Sequence, residues 1–159
     1  MKMRMMYILI VMVIAGMCMS PCIYAQDPAP DFTLKNLQGT EVTLSEVLAE
    51  QNVLLVFGTT WCPYCVQEIS ELNTLYDELD GNGLTILSVN VKEKMGKVQR
   101  FAEKKGIKYE VLLDSKGDVA REYGVRGIPA NFFIDREGIL QYESSGHFDT
   151  EEIRALAQK

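Results

Sequence analysis

The chain has 159 residues, of which 47% are hydrophobic and 24% are charged, and its formal net charge is −6. This length is sufficient for one domain with a hydrophobic core and too short for two domains of ordinary size. The excess of acidic residues argues against nucleic acids and anionic membrane surfaces as partners.

The first segment differs from the rest of the chain. Lys2 and Arg4 are followed by an almost wholly apolar run over residues 5–19, and Ile23-Tyr24-Ala25 offers a cleavage site after Ala25. A basic start, an apolar core and a small-residue exit are typical of a secretory signal peptide. We therefore predict a signal peptide over residues 1–25.

This signal predicts a single mature domain over residues 26–159 that is soluble in the periplasm or another extracytoplasmic compartment. One alternative is an uncleaved membrane anchor through residues 5–20, because the apolar run approaches the length that spans a bilayer. Lipid attachment at Cys18 or Cys22 fits less well, because Met17 and Pro21 precede these cysteines where small residues are expected.

Strands alternate with helices along the mature chain, which predicts an α/β domain with a mixed sheet covered on both faces. In such a sheet a reaction site is expected beyond the carboxyl ends of the parallel strands. Asp118 is expected to cap its helix. The predicted elements, in chain order, are a hairpin around Gly39, a short helix from Ser45, a buried strand at 53–57, a helix from Pro63 that ends at Gly81, a buried strand at 84–91, an amphipathic helix at about 94–105, a short strand at 111–113, a helix from Asp118 to Tyr123, a hairpin of residues 131–134 and 139–142 with its turn at Gly138, and a last helix from Thr150.

The segment Trp61-Cys62-Pro63-Tyr64-Cys65 is the most informative part of the sequence. Its two cysteines lie three positions apart, where a buried strand turns into a helix. Free backbone N–H groups and the positive end of the helix dipole stabilise a thiolate at such a place. We predict that Cys62 is the nucleophile and that Cys65 resolves the mixed disulfide.

Other uses of the two cysteines are less well supported. A zinc site needs two further ligands, and the mature chain offers only His147 in addition to Cys62 and Cys65. A purely structural disulfide between them would close a very short loop and stabilise little. Unreactive buried thiols remain a third alternative. The sequence therefore predicts a redox pair and neither a metal nor a cofactor.

Several segments together resemble a known family. Residues 29–34, 61–65 and 123–129, with the continuation to Gly138, resemble the exported thioredoxin-like (TlpA-like) thiol–disulfide reductases, a group that includes those of cytochrome c maturation. The resemblance implies a thioredoxin fold with an N-terminal β-hairpin and a central helix–strand insertion near residues 93–124.

The resemblance also implies the substrate-binding residues. The Ile128–Pro129 bond is expected to be cis and to lie beside the cysteines, with the Ile128 backbone free to pair with an extended substrate. Apart from the resemblance, Trp61 and Tyr64 are expected to shield the disulfide and shape the contact surface, with partly buried packing as the alternative, and Pro63 is expected to take part in substrate binding.

Glu68 is the third expected catalytic residue. Family members often carry a glutamate three positions after the second cysteine, and burial of Glu68 would raise its pKa and let it accept the proton of Cys65. A solvated charge near the helix start is the alternative. The chain departs from the family at residues 56–58, where Val-Phe-Gly replaces Asn-Phe-Trp, and at Ser70, which replaces a frequent proline. Plain thioredoxins have a buried aspartate where Val56 stands. Because that proton-transfer group is absent here, Glu68 becomes the stronger candidate for the proton acceptor.

These features together predict a protein-disulfide reductase. Its expected substrates are disulfides of exported proteins, with apocytochrome c as a candidate, and a membrane thiol donor is expected to recycle the pair. The sequence does not fix the direction of electron flow, so oxidase and isomerase activities stay open.

Two functions of other classes stay open as well. Thr59-x-x-Cys62 partly fits the active-site pattern of peroxiredoxins, although Leu55 stands where their proline is usual. A non-enzymatic module could instead hold extended peptides in the groove at Ile128 and Pro129. His147 is expected to be a surface loop residue and not a catalytic base.

Overall fold

The computed structural model describes residues 28–158, which contain seven β-strands and five α-helices. In chain order the elements are β1 (Thr33–Asn36), β2 (Glu41–Thr43), α1 (Leu44–Leu48), β3 (Asn52–Gly58), α2 (Pro63–Leu79), β4 (Leu84–Val91), α3 (Met95–Lys105), β5 (Glu110–Asp114), α4 (Asp118–Glu122), β6 (Ala130–Ile134), β7 (Leu140–Ser145) and α5 (Thr150–Ala157).

All seven strands form one mixed sheet with the order β2-β1-β5-β4-β3-β6-β7. The three central strands β5, β4 and β3 are parallel, and the other neighbours pair antiparallel. Strand β3 lies between β4 and β6, so its carboxyl end meets the end of β4 and the start of β6. This arrangement places the β3–α2 turn next to residues that are far apart in the sequence.

Strand β3 is buried on both faces of the sheet, as its continuous apolar sequence predicts. Val53, Leu55 and Phe57 belong to the core on the face covered by α1 and α4. Leu54 and Val56 belong to the core on the opposite face, under α2 and α5. The predicted mixed α/β sheet covered on both faces is therefore confirmed.

Helix α2 begins at Pro63 and carries its apolar side chains onto the sheet. Ile69, Leu72 and Leu75 are buried, at spacings of three residues that keep them on one face. Pro63 is tolerated because the first N–H of a helix has no partner inside the helix. The predicted start of this helix is confirmed.

The start of α4 corrects one sequence prediction. Asp118 is the first residue of the helix and does not cap it, because Gly117 occupies the N-cap position with φ +76°. Glycine has no side chain, so it makes no side-chain capping hydrogen bond. The buried carboxylate of Asp114, at the end of β5, instead accepts the backbone N–H groups of Gly117, Asp118 and Ala120 at 2.8–2.9 Å. Asp118 pairs with Arg121 at the surface.

Within residues 28–158, no helix combines the length and apolarity that crossing a bilayer requires. The predicted signal peptide at residues 1–25, the alternative anchor at residues 5–20, and Cys18 and Cys22 lie outside the described residues.

Candidate active site

Cys62 lies at the junction where β3 ends and α2 begins. It is the N-cap residue of α2, with an extended backbone at φ −79° and ψ 115°, and its Sγ accepts the backbone N–H of Cys65 at 3.2 Å. The sulfur of Cys62 thus takes the place that a Ser or Asp oxygen occupies in an ordinary cap. An N–H donor aimed at a sulfur, together with the helix dipole, favours the thiolate over the thiol.

Cys62 and Cys65 are joined by a disulfide, with their Cα atoms 5.3 Å apart. Cys62 is 3% exposed, whereas Trp61 and Tyr64 on either side of it are 67% and 69% exposed. An otherwise covered sulfur is therefore framed by two large aromatic surfaces that face solvent. Aromatic side chains of this kind are common anchors in protein–protein contacts.

The Ile128–Pro129 peptide bond is cis, as the family resemblance implies. The Ile128 carbonyl oxygen lies 3.8 Å from Cys62 Sγ, so the start of β6 faces the cysteine pair directly. A cavity of about 410 Å³ opens beside this junction. Its lining residues are Tyr64, Gln67, Glu68, Ile128, Pro129, Gly146 and His147.

Glu68 lies on the second turn of α2 and is 2% exposed. Neither carboxyl oxygen has a hydrogen-bond partner of normal geometry among the described residues. Burial, reinforced by the nearby charge of Glu71, raises the pKa of Glu68 from 4.5 to about 7, although Asn131 and the Phe148 backbone approach it and partly oppose the shift. A carboxyl group with a pKa near neutrality can both take and give a proton at working pH.

His147 lies in the loop between β7 and α5, and its side chain is 64% exposed. It is a surface loop residue, as the sequence suggested, but the loop folds back onto α2. Its Nδ1 lies 3.5 Å from Glu68 Oε1 and its Nε2 lies 3.3 Å from Glu71 Oε2. No local sequence pattern indicates this proximity, because the two segments are distant along the chain.

Glu93 is a second site residue that the sequence did not single out. Its carboxylate accepts the backbone N–H of Thr60 at 2.7 Å and the Thr60 hydroxyl at 2.8 Å, and it pairs with Lys97. Burial opposes ionisation of Glu93, but the hydrogen bonds from Lys97 and Thr60 outweigh it and lower the pKa of this carboxyl. Glu93 thereby fixes the turn that leads into Cys62. Its position just after β4 was the one available signal, since β4 borders β3.

A small cavity of about 40 Å³ lies behind Cys65, next to Val56 and Gly58. A Cβ added at Gly58 would lie 3.3 Å from Cys65 Sγ, so the sulfur packs directly on the strand backbone. Thr59 Oγ1 and Asn90 Oδ1, two buried oxygens of residues that line this cavity, have no hydrogen-bond partner among the described residues. The residues at positions 56–58 that depart from the family pattern therefore shape the space around Cys65.

The geometry of the site suits thiol–disulfide exchange. It brings the predicted residues Cys62, Cys65, Glu68, Ile128 and Pro129 into one region, with Trp61, Pro63 and Tyr64 at its edge. No group of three or more potential metal-ligating side chains occurs in the part of the chain that the structure describes. The cysteines supply the reacting sulfurs, and the buried carboxyl offers a place for a proton.

A sequence model of the AhpC/TSA family matches residues 25–143. The thiol-disulfide oxidoreductase ResA of Geobacillus thermodenitrificans is 36% identical over 126 residues, which cover 79% of this chain and 72% of that protein. A thiol:disulfide interchange protein DsbE structure from Chlorobium tepidum is 33% identical with a TM-score of 0.73, over 84% of this chain and 92% of the other.

A second similar structure carries the name of a peroxidoxin. The peroxidoxin BcpB of Mycobacterium tuberculosis is 26% identical with a TM-score of 0.70, and the match covers 83% of this chain and 92% of that chain. The predicted thioredoxin fold is confirmed by these structural neighbours.

Proposed function

Because this chain belongs to the AhpC/TSA family and is a thioredoxin-fold protein-disulfide oxidoreductase, we propose that it reduces disulfides of exported proteins. The observation that carries the proposal is the position of Cys62, capping α2 beneath the backbone N–H of Cys65 and facing Ile128. The donor and the helix dipole favour the thiolate form of this sulfur when the pair is reduced.

The reduced pair acts in two exchange steps. The Cys62 thiolate attacks one sulfur of the target disulfide, forms a mixed disulfide and releases the other target sulfur as a thiolate. Cys65 then attacks Cys62 Sγ, which closes the Cys62–Cys65 disulfide and releases the second target sulfur. The Cα separation of 5.3 Å in the oxidised form lies within the usual range for a disulfide.

Glu68 takes the proton of Cys65 in the second step. Cys65 must lose its proton to become a nucleophile, and Glu68 lies one helical turn further along the same helix. Its pKa of about 7 makes its ionised form a base of useful strength near neutral pH. Val56, buried in the strand beside this helix, offers no competing proton acceptor.

The substrate is a protein segment in extended conformation. The Ile128 backbone faces Cys62, and the cavity of about 410 Å³ beside Pro129 offers space for side chains next to a cystine. Tyr64 lines this cavity, and Trp61 adds exposed apolar area next to the cysteine pair. Backbone pairing with an extended strand together with side-chain pockets is a common mode of peptide recognition.

The signal-like segment at residues 1–25 supports export, so we place the protein in the periplasm or an equivalent compartment. In that oxidising environment the pair needs electrons from outside, and a membrane thiol donor is the proposed source. The family resemblance makes apocytochrome c the first candidate substrate.

Trapping with Cys65→Ala in the exported compartment tests this function. Without the resolving thiol, mixed disulfides on Cys62 should accumulate, should be released by a reductant and should identify the substrates. Cys62→Ala is the matched control, because it keeps one cysteine but removes the proposed nucleophile. Adducts on both variants alike, or on neither, would contradict the assignment.

Two further measurements test the alternative functions, a peroxidase and a peptide-binding module. Rapid peroxide turnover by the Cys62 thiol would favour a peroxidase, although the Thr59 hydroxyl makes no hydrogen bond to any described group, Cys62 included. Peptide binding that is unchanged after both cysteines are replaced by serine would favour a binding module. Reduction of a model protein disulfide, lost in both cysteine variants, is the result that we expect.

A further inference from the structure

The carboxyl oxygens of Glu68 make almost no contact with bulk solvent, although the residue lines the cavity beside Pro129. Glu68 is 2% exposed, and both of its carboxyl oxygens are buried without a hydrogen-bond partner among the described residues. If Glu68 accepts a proton from Cys65 in each cycle, that proton must leave before the next cycle begins. Fast transfer needs a polar group that contacts both the carboxyl and bulk water.

His147 contacts both. Its Nδ1 lies 3.5 Å from Glu68 Oε1, its Nε2 lies 3.3 Å from Glu71 Oε2, and 64% of its side chain is exposed. The Glu71 side chain is itself 34% exposed. A chain of ionisable groups therefore runs from the buried carboxyl to the surface.

The imidazole ring is held in this place by its neighbours. It stacks on buried Phe148, with ring centroids 5.4 Å apart and an interplanar angle of 26°. Gly146, the residue before it, accepts a hydrogen bond from the Asn131 amide at 2.8 Å. Thr150 donates its hydroxyl proton to Glu71 and so ties the loop to α2. The stacking on Phe148 orients one face of the ring, and the two hydrogen bonds hold the loop that carries it against β6 and α2.

We propose that His147 carries the proton between Glu68 and solvent, and so acts through Glu68 and not on the sulfurs. As Cys65 attacks Cys62 Sγ, its thiol proton passes to a Glu68 oxygen, while the bond from Cys62 to the target breaks and the target sulfur leaves as a thiolate. The Glu68 proton then moves to Nδ1 of His147, and the imidazolium releases its Nε2 proton to Glu71 or water. During reduction of the pair, the same route runs in reverse and reprotonates Cys65.

Other ionisable groups surround this route. Glu71 on α2 faces both Glu68 and His147, and Tyr64 shares the cavity that they line. Tyr109, just before β5, is close enough for the Glu68 charge to add to the burial that raises the pKa of its phenol. Of these groups, Glu71 contacts the outer nitrogen of His147 directly, and the raised pKa of Tyr109 keeps its phenol protonated at neutral pH.

The test follows the two exchange steps separately and rests on the proposed role of Glu68. The reduced protein reacts with a symmetrical aromatic disulfide whose halves absorb light as thiolates. The first thiolate released reports attack by Cys62, and the second reports resolution by Cys65. Closure of the disulfide is followed in parallel by the fluorescence of Trp61, the single tryptophan of the chain.

In His147→Ala, we expect the second release to slow about tenfold at low buffer concentration, and the first to stay within about twofold of wild type. Added imidazole should restore the second release, because it can occupy the vacated space and carry the proton. His147→Gln, which fills the space but cannot take up a proton, should be slow and should not be rescued. Imidazole should not affect wild type.

Two results would overturn the proposal: a second release in His147→Ala as fast as in wild type, or a slowed one that imidazole does not restore. The latter is the signature of a purely structural contribution. Glu68→Gln separates this inference from the function on which it rests. Its second release should be slow with or without imidazole, whereas a wild-type rate would reject the role of Glu68 itself.

Discussion

Burial of Glu68 links its protonation to the stability of the whole domain. The folded protein holds this proton with a pKa of about 7, against 4.5 for an exposed glutamate. Between pH 4.5 and about pH 7 the folded state binds more protons than the unfolded state, so the free energy of unfolding falls as the pH rises. Each unit corresponds to about 1.4 kcal/mol, so the charged form of Glu68 costs on the order of 3 kcal/mol above pH 7.

Glu68→Gln removes that cost, because glutamine stays neutral. We expect the unfolding free energy of the oxidised variant, relative to wild type, to increase by about 3 kcal/mol between about pH 4 and about pH 8. Urea unfolding of both proteins across this range measures the difference. Glu46→Gln, at an exposed position of α1, is the matched control and should show little dependence on pH. A constant difference for Glu68→Gln would contradict the raised pKa.

At the scale of elements, α4 is a short helix whose N-terminus is capped by a residue of another element. Its five residues provide no cap of their own, and its first free N–H groups point to Asp114 at the end of β5. The carboxylate is 2% exposed, so water does not replace it readily. Asp114 thus joins a strand, a turn and a helix with three hydrogen bonds.

Asp114→Ala should therefore destabilise the protein by about 2–4 kcal/mol, because it leaves three backbone donors without their acceptor. Asp118→Ala, which removes only an exposed ion pair and one charge in the first helical turn, should cost at most about 1 kcal/mol. Chemical denaturation of both variants measures the contrast. Equal costs would mean that Asp118, as its sequence position suggested, starts the helix after all.

Contacts between different elements mark the limit of prediction from sequence, as the capping of α4 by Asp114 illustrates. Apolar periodicity located β3, β4 and α2 because their side chains must reach a core, and the motif at residues 61–65 located the redox pair. Contacts between distant segments left no such local pattern. The Thr60–Glu93 bonds span 33 positions and the Thr150–Glu71 bond spans 79. The anchors of the turn and of the His147 loop therefore emerged only from the fold.

At the scale of the whole molecule, the sheet order explains why one small area carries the chemistry. The parallel strands β3 and β4 end at the same edge, where β6 begins, so Cys62, Glu93 and Pro129 gather there from three parts of the chain. That edge also bears the most exposed large hydrophobic residues of the described chain, Trp61 and Tyr64. Exposed aromatic area next to a covered disulfide is expected of a surface that binds another protein.

Trp61→Ala combined with Tyr64→Ala should separate binding of a protein substrate from chemistry at the sulfurs. We expect kcat/KM for a protein disulfide to fall about tenfold, since buried aromatic anchors carry much of an interface's binding energy. The rate with a small aromatic disulfide, which needs no docking surface, should stay within about twofold of wild type. Met95→Ala is the matched control, because Met95 is also an exposed apolar side chain but lines a different cavity. An equal loss with both substrates would place the two aromatics in the chemistry of the pair, and no loss with either would remove them from substrate binding.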